Sequence, residues 1–256
     1  MNTIVEGRRA WWSRAVLITG IVAVVLPFLG ALGTRFGIWN FQIGLLMWAV
    51  GLLIGLICVI GGIVALFAVR RPHRAADRRP VFVGTALAAV MVLFLGAQLA
   101  GARGVPPIHD ITTDVADPPQ FDAAVKLRGE GPDINTLAYD AEKLPPLQQA
   151  AYPNVVPLDV SATPETTFDA AAAALAGLGF EVVNADKNAM RIEAVDTTFW
   201  FGFKDDVVVR IRPQATGSRT GSRIDVRSVS RVGVGDAGTN ARRIEKILGA
   251  IKAKVA

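Results

Sequence analysis

The chain has one cysteine, Cys58, and two histidines, His73 and His109, in 256 residues. A lone thiol inside an apolar run closes no intramolecular disulfide and completes no cysteine ligand set. With only His109 beyond residue 103, no zinc spacing and no serine or cysteine nucleophile relay can be assembled there. Lysine is missing from the first 103 residues, and the stretches 16–33, 43–69 and 81–101 contain no Asp, Glu, Lys or Arg. Transporters and proton relays place such groups at bilayer depth, so a transport or channel function is not expected.

What is present is apolar. Hydrophobic residues make up 52% of the chain and the mean hydropathy is +0.40, too apolar for one ordinary globular domain. Each of the three uncharged stretches is near or above the ~18 to 20 residues that cross a hydrocarbon core. The first imitates a signal peptide, with Arg8, Arg9 and Arg14 ahead of it and Ala31 and Gly33 near its end, but two further spans follow at once, so an uncleaved helix is expected.

The positive charge is confined to this part. Up to Arg103 there are ten Arg against Glu6 and Asp77, a balance of +8; the remaining 17 Lys+Arg against 20 Asp+Glu give −3, and the two sum to the whole-chain +5. The basic pI therefore reports membrane insertion, and no nucleic-acid partner is expected. Arg70, Arg71, Arg74, Arg78 and Arg79 lie between spans two and three, whereas only Arg35 lies between spans one and two. The positive-inside rule puts the N-terminus and the five-arginine loop in the cytoplasm. The part after residue 103 then faces the periplasm from a bacterial inner membrane. In span two, Gly44, Gly51, Gly55 and Gly62 share one helical face; packing within a three-helix bundle is the ordinary reading, and docking of another membrane protein the sharper one.

Three segments follow from composition: a three-helix anchor at 1–103, an ordered but irregular Pro/Asp/Thr-rich arm at 104–157 with a short helix around 145–151, and a folded core at 158–256. In the core, Thr163-Pro164-Glu165 opens a helix that closes at Gly179. Residues 180–185 and 190–195 form a hairpin around Asp186-Lys187-Asn188, with strands expected at 198–203, 207–212 and 223–232 and an amphipathic helix at 240–254. The expected fold is membrane-anchored α+β: three transmembrane helices, then an antiparallel sheet covered on one face by two helices.

Four features invite a functional reading. His109 lies among Asp110, Asp114 and Asp117, residue types that suit general-base work, although Asp and Thr beside Pro also serve turns. Residues 233–238 read Gly-Val-Gly-Asp-Ala-Gly, a literal GxGxxG. The chain leaves no second parallel strand after it, so a tight turn with Asp236, Thr239 or Asn240 capping the last helix is expected and no nucleotide. Residues 199–203 alternate three phenylalanines onto one sheet face and Trp200 onto the other, toward an apolar ligand or the membrane interface. Arg210 and Arg212 share a strand face, as do Arg227 and Arg231; if the faces coincide they form a basic surface able to hold a phosphate or lipid headgroup, while cross-strand pairing with Glu181, Glu193 and Asp225 is the ordinary expectation.

The runs PPIHDITTDVADPPQF (106–121), QQAAYPNVVPL (148–158) and RSVSRVGVGDAGTNARRI (227–244) resemble the family called domain of unknown function 1499. The resemblance covers essentially all of 104–256, with Asn154 where the family pattern has Asp. The family has no established activity and hence no catalytic residues to carry over, and on the residues themselves no cofactor and no metal are expected. The resemblance does imply a shared surface of motif positions: His109, Asp110, Thr113, Asp114, Asp117, Pro118 and Pro119 with Ser230, Arg231, Gly235, Asp236, Gly238 and Asn240. The arm is expected to fold against the glycine-rich turn, bringing Asp117 or His109 to Arg231 or Asn240. The resulting expectation is a membrane protein whose outer domain binds a protein partner or an anionic or apolar envelope ligand. The alternative is a periplasmic hydrolase using His109 and an Asp.

Overall fold

A computed structural model describes residues 10–129, 131–216 and 219–255, which fall into two compact units: the residues up to Arg103 together with Trp200–Gly202, and the remainder from Gly104. Arg8 and Arg9 lie outside the described residues.

The first unit contains α1 (Trp11–Arg35), α2 (Phe41–Ala68) and α3 (Ala75–Gly101), with a short 3-10 turn at Pro72–Arg74. Three helical segments, Trp11–Arg35, Phe41–Ala68 and Pro72–Gly101, are each long and apolar enough to cross a membrane. Their contact is built from small residues. Gly20 and Gly84 bring the backbones of α1 and α3 together, and a Cβ on Gly51 would strike the Pro27 ring of α1. A Cβ on Gly55 would meet Val92 at 2.8 Å and one on Gly62 would strike Thr85, both on α3. The glycine face of α2 is thus occupied by the chain's own helices, and Gly44, Gly51, Gly55 and Gly62 are all buried. Each helix is longer than its apolar stretch. α3 starts ahead of it, so Asp77 sits in its first turn, where it is buried and accepts from the Ala10 amide (2.8 Å) and the Ser13 hydroxyl (2.7 Å). The carboxylate of the third helix thereby caps the first, satisfying an amide that no intrahelical carbonyl can reach. Within the same unit Trp200 meets Phe28 and Phe94 at ring distances of 5.5 and 6.2 Å, and Phe201 meets Trp48 at 5.6 Å.

The second unit is an antiparallel six-stranded sheet with helices. Its strands are β1 (Asp110–Thr112), β2 (Leu158–Val160), β3 (Glu181–Asp186), β4 (Arg191–Thr197), β5 (Lys204–Thr216) and β6 (Arg219–Ser230), in the order β1-β6-β5-β4-β3. β2 also pairs with β6, at Ile224 to Ser222, beyond the β1 pairing at Val229 to Arg227. The helices are α4 (Ala123–Leu127), α5 (Leu144–Ala151), α6 (Pro164–Gly177) and α7 (Thr239–Val255). Thr163 caps α6 and Gly179 follows it at φ +83°, so the predicted start and stop signals are both used. One sheet face turns Ile192, Ala194, Val207, Val209, Ile211, Ile224 and Val226 into a core shared with Phe168 and Leu175 of α6 and Ile244, Ile247 and Ile251 of α7.

Two expectations are corrected. Residues 198–203 are not a strand: Thr198 and Phe203 close a turn through their backbone (2.8 Å) and the Thr198 hydroxyl, and Gly202 has φ +68°. The alternation of phenylalanines therefore does not place them on a sheet face, and Phe199 is 75% exposed. Conversely Lys204-Asp205-Asp206, expected as a connection, opens β5, because the acids are matched by buried arginines. The arm has the short helix expected near its end, α5, and is more regular than expected in also contributing β1 and α4. Its β1 edge is completed by a side chain: Gln148 of α5 accepts from the Thr112 amide (3.0 Å) and donates to the Thr112 carbonyl (2.6 Å).

Candidate functional site

The arm does fold against the glycine-rich turn. The Asp236 amide donates to the Ile108 carbonyl (3.2 Å), the Ser230 amide to the His109 carbonyl (2.9 Å), and Asn240 Nδ2 to the same carbonyl (3.0 Å). The His109 ring meets the Val234 carbonyl through Nδ1 at 3.3 Å. From the other side Asn135 donates to the carbonyls of Ser230 (3.0 Å) and Gly233 (2.8 Å). Asp236 is the cap of α7, accepting from Gly238 and Asn240, an anion at the positive end of a helix dipole. Gly233 and Gly238 have φ +92° and +76°, and Ala237 adopts φ +51°, which costs an L-residue conformational energy. A Cβ on Gly235 would sit 3.1 Å from Pro107 Cα, so arm and turn touch backbone to backbone. The outcome is a rigid turn that presents Val234, 77% exposed.

Beneath it runs a buried polar chain. Asn240 joins Ser228 (2.7 Å) and Ser230 (2.9 Å), and Arg243 of α7 reaches Asn240, Asp205 and Asp196. Burial pushes the Asp205 carboxyl up despite the Arg243 charge beside it.

The sheet face opposite the core is charged, and the arm covers it through ion pairs. Arg227, fully buried, holds Asp110 in a two-pronged pair (2.9 and 2.7 Å), donates to the Pro119 and Leu137 carbonyls, and lies between the rings of Phe121 and Tyr139. Asp206 is shared by Arg128 of the arm (2.9 Å) and Arg231 (2.7 Å). Burial lowers the Arg128 pKa although Asp206 opposes the shift. Glu193 accepts from the amides of Asp122, Ala123 and Ala124, capping α4. At the rim Arg210 and Arg212 both reach Asp117 (3.0 Å each) and Asp225 (3.1 and 2.7 Å), and Arg212 reaches Asp114 at 2.8 Å. Asp114 is pushed up by burial but more strongly down by the Asp117 amide, Arg212 and Arg223, and ends below the usual carboxylate range.

The predicted motif residues therefore divide. His109, Ser230, Gly235, Asp236, Gly238 and Asn240 assemble at the turn. Asp110, Asp114 and Asp117 point to the charged sheet face, and Arg231 answers Asp206 instead of Asp117 or His109. Thr113 extends the β1 pairing, accepting from the Val226 amide (2.9 Å), while the Pro118 carbonyl accepts from the Gln120 side chain. Arg210 and Arg212 pair with Asp225 as the cross-strand expectation had it, whereas Glu193 meets Arg191 (3.5 Å) and backbone amides. Among the described residues no three His, Cys, Asp or Glu side chains converge as a metal ion would require. Arg128, Asn135, Gln148 and Arg243 were not picked out from the sequence. Apart from the i, i+3 contact of Arg243 with Asn240, their partners lie at separations of 7 to 101 residues, and no local spacing announces such contacts.

Burial also marks two phenols. The Tyr139 and Tyr152 hydroxyls are buried without a hydrogen-bond partner among the described residues, and burial, with Asp110 adding to it, pushes the Tyr139 pKa up to about 12.

A comparison with curated proteins finds none that matches. A family model described as a protein of unknown function, DUF1499, matches residues 110–251, which runs from the first residue of β1 into α7 and takes in the arm, the charged face and the turn. The chain belongs to the DUF1499 family.

Proposed function

We propose that this is a multi-pass protein of the bacterial inner membrane, with its arginine-rich end in the cytoplasm and its α+β domain in the periplasm, and that the domain is a docking module for a protein partner. The observation that carries the docking reading is the turn at 233–240. It is locked by hydrogen bonds to Ile108, His109 and Asn135, yet offers Val234 to solvent. An exposed apolar residue on a pre-ordered loop loses little conformational entropy on binding. The orientation is supported by Arg14, Arg70, Arg71, Arg74, Arg78 and Arg79 lying at one end of the helices against Arg35 and Arg103 at the other. A hydrolase using His109 is less well supported, since Asp110, Asp114 and Asp117 are each engaged by arginine.

Two experiments test this. Alkaline phosphatase fused after Arg103 is active if the domain is periplasmic, and an inactive fusion overturns the orientation. A photo-crosslinker at Val234, with one at Glu165 on α6 as the control, gives a discrete adduct in native membranes only from Val234, and the adduct is lost in a Pro107→Ala, Asn135→Ala background that loosens the turn. Equal labelling from both positions, or none, overturns docking through the turn.

A further inference from the structure

We infer that the arginine end of the helical unit holds one anionic glycerophospholipid, its phosphate on Arg70, Arg78 and Arg79 and its first acyl carbons on Leu66, Val69 and Phe82. These six residues line a groove of about 600 Å³ between the end of α2 and the start of α3. Its walls have the two chemistries of a lipid in the right order. Phe82 is 65% exposed within the apolar length of α3, and the three guanidinium groups, all exposed, lie at the helix ends.

The arginines are arranged for an anion. Arg78 donates through Nε to the Val69 carbonyl (3.0 Å) and through Nη2 to the Arg70 carbonyl (3.2 Å), which fixes its guanidinium over the C-terminal end of α2 and leaves Nη1 without a partner among the described residues. Arg70 lies 4.5 Å over the Phe67 ring. Arg79 forms no hydrogen bond or ion pair among the described residues. Asp77, the one acid in this part of α3, is committed to Ala10, Ser13 and Arg74 and does not neutralise the groove. Three cations around an uncompensated apolar floor match a phosphodiester carrying hydrocarbon, and a zwitterionic headgroup would bring its own cation into the same space. The inference rests on the helices lying in a bilayer and not on the role of the outer domain, so phosphatase fusions and lipid binding can fail independently.

The test is native mass spectrometry of the full chain in detergent, titrated with dioleoylphosphatidylglycerol, with dioleoylphosphatidylcholine and with inorganic phosphate. One phosphatidylglycerol is expected to be retained, at least tenfold more strongly than phosphatidylcholine, and not displaced by millimolar phosphate. Arg70→Gln and Arg79→Gln each weaken retention about fivefold, whereas Arg71→Gln, at the same end but outside the groove, leaves it unchanged. Equal retention of the two lipids, equal loss in Arg71→Gln, or displacement by phosphate alone overturns the inference. Circular dichroism of each variant separates lost binding from lost fold.

Discussion

The two faces of the β-sheet are covered by different chemistry. Helices α6 and α7 lie on a face of valines and isoleucines, where burial removes about 25 cal/mol per Å² of apolar surface from water and partners are interchangeable within their volume. The arm lies on a face where Asp206, Glu193, Asp225 and Arg227 are fully buried, so each contact depends on specific partners: arginines for Asp206 and Asp225, Asp110 for Arg227, backbone amides for Glu193. A buried pair is weak evidence for net stability, because desolvation offsets its attraction, but breaking it leaves an uncompensated charge. The apolar face supplies cohesion and the charged face specifies where an otherwise irregular arm must lie.

The largest expected effect breaks that comparison at its centre. Arg227→Ala should destabilise the full chain by about 3 to 5 kcal/mol, at least as much as Ile247→Ala on the other face, for which about 2 to 5 kcal/mol is expected. Denaturant unfolding in detergent, followed by circular dichroism, measures both. If Asp110→Leu with Arg227→Met restores most of the loss, the pair specifies the arm's position without adding net stability. A cost below about 1 kcal/mol for Arg227→Ala would mean the charged face does not hold the arm.

A smaller effect sharpens the contrast through pH. Asp114 has its native pKa held below the unfolded value of about 3.9. Its contribution is therefore complete above that value and is lost as pH falls through the native pKa. Asp114→Asn should flatten the acid limb of the stability curve between about pH 4 and lower values while leaving the limb above pH 6 parallel to wild type. An unchanged acid limb would show that Arg212 and Arg223 hold the arm without it.

The smallest effect concerns the partnerless phenol. Tyr139→Phe removes a buried hydroxyl that meets no partner among the described residues, so a gain of up to about 1 kcal/mol is expected. In ultraviolet titration Tyr139 should ionise near 12, above an ordinary phenol at about 10. Since the raised native pKa lies above the unfolded one, stability falls as pH rises between those values. A loss of stability in Tyr139→Phe would reveal a hydrogen bond to the hydroxyl.

Legibility in the sequence followed the same division. Residues whose partners are local or periodic could be read: the apolar stretches, Thr163 and Gly179 around α6, Asp186 in its hairpin, the spacing of Ile244, Ile247 and Ile251. The turn at 233–240 was readable as a cap because Asp236 and Asn240 act within one helical turn. The arm's pairings were not, because an arginine at 128 meeting an aspartate at 206 leaves no local trace. The aromatic run at 199–203 misled because alternation is necessary for a strand and not sufficient; Gly202 and the Thr198 hydroxyl decide for a turn.

The carboxylate of Asp77 has a consequence for biogenesis. As the chain emerges from the ribosome, the Ser13 hydroxyl can turn to the Ala10 carbonyl beside it, but the opening amide at Ala10 has its acceptor synthesised only more than sixty residues later. The three helices therefore mature as a set. A chain that stops after the second helix has no carboxylate to close the start of the first.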